Sequence, residues 1–133
     1  MPSEQLPNPL GAYGYAADFG RQTLDCKVGA TAVAANNVVA FDANGNVVPG
    51  TVATASQAIG VSLDAGTAGQ IVRVVVAGFA AAVSTAAIAA GAIGSPGAAG
   101  AVAAASATIG SNICSVVVGN AGAGAITVFV AKM

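Results

Sequence analysis

Hydrophobic positions in this chain come in short runs separated by small-residue turns, and the runs predict strands. Val38-Val39-Ala40-Phe41 precedes DANGN, and Val47-Val48-Pro49-Gly50 follows it. Asn44-Gly45 between them is a hairpin signal, since both residue types tolerate positive φ. Ile59-Gly60-Val61-Ser62-Leu63 reads as a short strand, Asp64 to Gly69 as a turn, and Ile71 to Val76 as the longest strand. Strand alternation sets Ile71, Arg73 and Val75 on one face of that last strand, with Val72, Val74 and Val76 on the other.

The second half offers the same order of parts. Thr85 to Gly94 resembles Thr31 to Ala40, Ser95-Pro96-Gly97 makes a turn, Thr108-Ile109-Gly110 echoes Ala58-Ile59-Gly60, and Gly124 to Val130 echoes Gly69 to Val75. Two related units follow, 28–78 and 83–131. The alanine-rich FAAAVSTAAIAAGAIG competes as a helix, because alanine is the best helix former. It has no polar face and is interrupted by glycine, so the reading is mostly strand, with room for one short helix within 77–107. The fold class expected is mainly β: a compact small β-barrel or sandwich-like domain with an internal pseudo-repeat.

Residues 1–27 differ in composition. Pro2, Pro7 and Pro9 sit there with both tyrosines and five of the charged residues, Glu4, Asp18, Arg21, Asp25 and Lys27. Proline fixes φ and blocks regular pairing, so this segment reads as an extended N-terminal arm ahead of a β-rich domain at 28–131. Leu6, Leu10, Tyr13, Tyr15 and Phe19 give it apolar matter to lie on something; a disordered tail is the alternative.

Composition narrows the function. Charged residues are 7% of the 133, against roughly 25% in an ordinary soluble domain, and the net charge is −1. Copies of such a chain scarcely repel one another, which suits a part fitted into an assembly. With no Trp and four Phe, the core is expected to be thin and filled by valine, isoleucine and alanine. The dispersed Arg21, Lys27, Arg73 and Lys132 make no phosphate-neutralising patch, so nucleic acid is not an expected partner. From Val74 to Thr127 there is no charge, but Ala, Gly, Ser and Thr dominate and aromatic or basic anchors are lacking, so no membrane span is expected. The start lacks a basic region followed by an apolar run and does not read as a signal peptide.

Chemistry is scarce. There is no histidine, so Ser-His-acid and Cys-His groups cannot form. Asp42-x-Asn44-x-Asn46 resembles the opening of a calcium loop but lacks its sixth-position glycine and twelfth-position glutamate. The glycine-rich stretches lack the lysine and helix of a phosphate loop. Cys26 and Cys114 have no metal-ligand spacing and read either as independent buried residues or as one disulfide. Neither an enzyme nor a cofactor is expected. Arg73, alone among charged residues in 65–131, either reaches Asp64 or a partner subunit's carboxylate, or points outward with its stem along the sheet.

The run AIGVSLDAGTAGQIVRVVVAGFA resembles the small capsid decoration, or cement, proteins of tailed bacteriophages. Ile59-Gly60-Val61-Ser62-Leu63, Ala65 to Gly69 and Ile71 to Gly78 match the family order of a hydrophobic-Gly-Val segment, a small-residue turn and a valine-rich strand ending at glycine. The resemblance covers residues 28–131 and departs from the family in its alanine content and in the arm. It implies a structural protein on the outer surface of the mature head, cementing neighbouring major capsid subunits as a homotrimer. Leu10, Tyr13, Tyr15 and Phe19 are then candidate arm anchors, and Arg73 a candidate interface residue. A β-rich head-fibre or adhesin-like surface module, and a small cell-envelope protein, are the alternatives.

Overall fold

The computed structural model describes residues 21–104 and 112–131. Nine strands run through them: β1 (Gln22–Lys27), β2 (Val38–Phe41), β3 (Val47–Pro49), β4 (Ala58–Ser62), β5 (Ile71–Ser84), β6 (Ile93–Pro96), β7 (Val102–Ala104), β8 (Cys114–Val118) and β9 (Gly124–Val130). The expected class holds. The fold is mainly β, built on a closed five-stranded barrel in which β5, β7, β6, β8 and β9 pair in that order and β9 returns to β5.

The rest of the sheet is β3-β2-β4, joined to the barrel through β5, with β1 on the opposite edge of β5. β1 pairs with 71–77, from Lys27 opposite Ile71 to Gln22 opposite Ala77, and β9 pairs with 78–84, from Val130 opposite Gly78 to Gly124 opposite Ser84. A parallel bridge from Val28 to Val47 brings the chain after β1 against the start of β3, so the first half curls round as well.

Two cores result, and both are made of small residues. One lies in the first half and holds Cys26, Val28, Val33, Val39, Val47, Val72 and Val74. The other fills the barrel and the facing side of β2 and β4, with Val38, Val61, Val75, Ala80, Ala82, Val102, Ile113, Val116 and Val128 among its members. This is why alternation on β5 breaks. Val74 and Val75 are both fully buried, on opposite faces, because the strand passes from one core to the other between them. Of Ile71, Arg73 and Val75, which the sequence pattern set on one face, Ile71 and Arg73 are outside and Val75 is buried.

β5 is far longer than the expected strand at 71–76. Phe79 to Ser84, where a helix competed, continues as strand with Ala80, Ala82 and Ser84 buried and Ala81 and Val83 exposed. Seven consecutive pairings with β9 engage one edge of this segment and outweigh alanine's helix preference. Within 77–107 the helical content described is one short 3-10 turn, Ala98–Gly100.

The halves repeat a local hydrogen-bond pattern. Val33 exchanges backbone bonds with Gly66, while Asn36 N–H and Ser62 N–H donate to Ser62 and Asn37 carbonyls. Ile88 exchanges them with Asn120, while Gly91 N–H and Val116 N–H donate to Val116 and Ala92 carbonyls. Asn36 and Gly91 both take positive φ, 67° and 88°. Ser62 thus corresponds to Val116, and Ile59 to Ile113. The sequence match had set Ile59 beside Ile109, which lies outside the described residues.

Other readings change in detail. Gln22–Lys27, assigned to the arm, is strand β1. The hairpin between β2 and β3 has a three-residue loop, Ala43 to Gly45, closed by Asp42 N–H donating to the Asn46 carbonyl at 2.8 Å. Only Gly45 there has positive φ, 79°, which is the loop-plus-glycine geometry and not the two-residue turn. Ser95-Pro96 ends β6, and the chain turns at Gly97. No helix among the described residues is long and apolar enough to cross a membrane.

Candidate functional site: a charged corner and an uncharged barrel surface

Three of the charged side chains among the described residues gather around β5. Asp25 of β1 stands opposite Arg73 of β5, and Asp64 in the β4–β5 turn reaches Arg73 from the other side. The Arg73 guanidinium donates from Nε to Asp64 Oδ2 at 3.0 Å and from Nη2 to Oδ1 at 2.9 Å. The Arg73 backbone N–H donates to the same Oδ2 at 2.9 Å. Leu63 N–H bonding the Arg73 carbonyl fixes the register of the turn. Of the two carboxylates open to Arg73 from sequence, Asp64 is the one engaged within the chain.

Those contacts hold the Asp64 carboxyl at about 2, well below the usual carboxylate value, chiefly through the Arg73 side-chain bonds and then through its backbone N–H. The folded value lies below the unfolded one of about 3.9. The pair therefore adds stability above roughly pH 4, which is lost as pH falls through about 2. A carbon-detected titration should place the Asp64 midpoint near 2. In Arg73→Gln it should move up toward roughly 4.

The remaining reactive groups are quiet. Asp42 accepts the N–H groups of Asn44 and Asn46 on Oδ1, at 2.8 and 3.0 Å, which ties its carboxylate into the hairpin loop. Among the described residues no three His, Cys, Asp or Glu side chains group as metal ligands. Cys26 and Cys114 are buried free thiols, one in each core, with no disulfide between them. Burial pushes the Cys114 thiol up to about 11, with the Gly94 backbone pulling partly back. Burial and then the Asp25 charge push Cys26 upward too.

A shallow open depression of about 590 Å³ lies in the first half, lined by Thr31, Val33, Asn37, Pro49, Thr67 and Gln70 among others, with no ionisable side chain in its lining. Its amide oxygens are already engaged: Asn37 Oδ1 accepts Ala34 N–H at 3.0 Å, and Gln70 Oε1 accepts Thr67 N–H at 2.8 Å. The depression offers shape and apolar surface, with little polar chemistry to spare.

The barrel surface is the opposite of the charged corner. Outward residues of β6, β8, β9 and β5 fall in register as a row: Ile93 opposite Ser115, Ser115 opposite Phe129, Phe129 opposite Phe79. Phe79 and Phe129 meet edge to face, centroids 5.2 Å apart with planes at 73°. A second row sets Val118 opposite Thr127 and Thr127 opposite Ala81. No charged residue stands in either row.

The sequence singled out Arg73 and missed this surface. Leu10, Tyr13, Tyr15 and Phe19 lie outside the described residues. The apolar outer positions carried no local signal, because a strand with valine or alanine on both faces does not reveal which face is covered.

No protein-family model matches the chain, and no curated protein matches its sequence. Among solved structures it is similar to the crystal structure of the head fiber gp8.5 N base of bacteriophage phi29. The TM-score is 0.61 at 12% identity, and the match covers 83% of this chain and 93% of that one. At that identity the likeness is one of fold.

Proposed function

We propose that this chain is a structural module of a tailed-phage virion, seated on the outer surface of the head in the manner of a fibre base. The carrying observation is the shared fold with the phi29 head-fiber base over nearly the whole of both chains. The composition supports it independently: an uncharged barrel surface and a net charge of −1 suit a part that sits among protein neighbours. The partners in this reading are the major capsid protein and further copies of the chain as a homotrimer, the trimer resting on the resemblance to decoration proteins. Arg73, with one carboxylate already bound and 58% of its side chain exposed, remains the polar candidate for such a contact.

A cementing role is the narrower form of the same reading, and lattice occupancy separates the two. Purified protein is mixed with mature heads lacking it, sedimented, and the pellet imaged by electron microscopy. Density projecting at a small set of positions supports the fibre base. Density at every local threefold position, bridging capsid subunits, supports the cement. Absence of saturable binding across a wide concentration range overturns the head assignment for that capsid.

A further inference from the structure

The two halves share more than a turn motif: their strand pairings repeat in register. Val38 opposite Val61, Val61 opposite Val75 and Val75 opposite Thr23 make a row in the first half. Ile93 opposite Ser115, Ser115 opposite Phe129 and Phe129 opposite Phe79 make the same row in the barrel. The parallel bridges correspond too, Val28 with Val47 and Ser84 with Val102. β1 is thus the counterpart of the second part of β5, and the first part of β5 is the counterpart of β9.

Counterpart positions differ in burial, and the differences have a direction. Val38, Val61 and Val75 are fully buried in one core with the barrel residues, because this face of the first half packs against the barrel. Gly100 N–H donates to the Gly50 carbonyl at 2.8 Å across the same junction. Their counterparts Ile93 and Phe129 are 41% and 40% exposed. A second set shows the reverse. Ala80, Ile113 and Val130 are buried in that shared core, whereas their counterparts Leu24, Ile59 and Val76 are less covered, Leu24 being 47% exposed. The chain therefore displays one open copy of each side of a contact that it already makes within itself.

We propose that the protein associates head to tail with further copies of itself. The Ile93–Ser115–Phe129–Phe79 face of one copy seats on the Leu24–Ile59–Val76 region of the next, as the Val38–Val61–Val75 face seats on the barrel within the chain. A second copy is favoured over other occupants because it carries the matching half of the contact on its own surface. The face bears no charge, and at a net charge of −1 the copies scarcely repel one another. A contact between two different patches is heterologous, so it closes into a ring or runs on as a filament. The homotrimer proposed above is one such ring; the contact itself rests on the internal repeat and not on the head assignment.

Two variants of the full-length protein and their mixture test it by sedimentation velocity, with no heads present. Phe129→Asp blocks the face and Leu24→Asp blocks the region it seats on, both at exposed positions. The wild-type protein should sediment as an oligomer and each variant as a monomer. A 1:1 mixture should give a dimer and nothing larger, since one intact face meets one intact counterpart and the remaining two are blocked. Circular dichroism equal to that of the wild type shows that the variants fold, and Ile93→Asp and Leu24→Lys replace either that does not. A monomeric wild type or a mixture that stays monomeric overturns the proposal. So does a variant that still forms the oligomer, because like patches would then be meeting one another.

Discussion

Gly60→Ala should cost at least about 3 kcal/mol or prevent folding. An ideal Cβ at Gly60 would stand 1.9 Å from the Val75 carbonyl oxygen and 2.9 Å from its carbon. Both are backbone atoms, so no side-chain rotation relieves the clash. The strands would have to part where Val61 pairs with Val75 and Ser62 with Val74, at the junction between the two cores. Urea unfolding measures the loss. Gly122→Ala is the control: nothing lies within 4 Å of its Cβ, and a change within about 0.5 kcal/mol is expected. A near-neutral Gly60→Ala would show that β4 and β5 do not approach so closely.

The second large effect is expected at Ile113, the largest fully buried side chain among the described residues. It enters the barrel just before β8, with its N–H on the Gly94 carbonyl and its own carbonyl accepting from Ala131. Its core cluster is mostly valines and alanines, with Ile88, Ile126 and Cys114, so few long side chains are at hand to fill a hole. Ile113→Ala should therefore destabilise by about 2–5 kcal/mol, the range seen where a site cannot collapse. In a chain of this size that lowers the melting temperature by roughly 6–20 °C. Ile93→Ala, at 41% exposure on the outer face, should cost less than about 1 kcal/mol.

Part of this architecture was legible because the relevant signals are local. The β2–β3 hairpin follows from Asn44-Gly45 between two valine runs, and β9 coincides with the strand expected at Gly124 to Val130. The small-residue core follows from a composition with almost no large side chains. The Arg73–Asp64 pair was one of the two carboxylate contacts open to an isolated arginine beside a turn carboxylate.

The rest depends on what the chain meets at a distance. Gln22–Lys27 carries Asp25 and Lys27 and buries only Cys26, so an edge strand looks like part of a tail. Ala80 and Ala82 inside and Ala81 outside give no alternation in hydropathy, so the second half of β5 had no visible period. Barrel closure is a pairing between β5 and β9, far apart in sequence, and nothing local announces it. The outer apolar face exists only once that closure has set Phe79 beside Phe129.

Because β5 belongs to both halves, the molecule has no seam along which to come apart. Val72 and Val74 anchor it in one core, and Val75, Ala80 and Ala82 in the other, on one unbroken backbone. Freeing either half requires peeling that strand from the other, so the two cores melt as one cooperative unit. The amides of Val74 and Val75, where the cores meet, are then the last to exchange with solvent deuterium, opening only when the whole protein does.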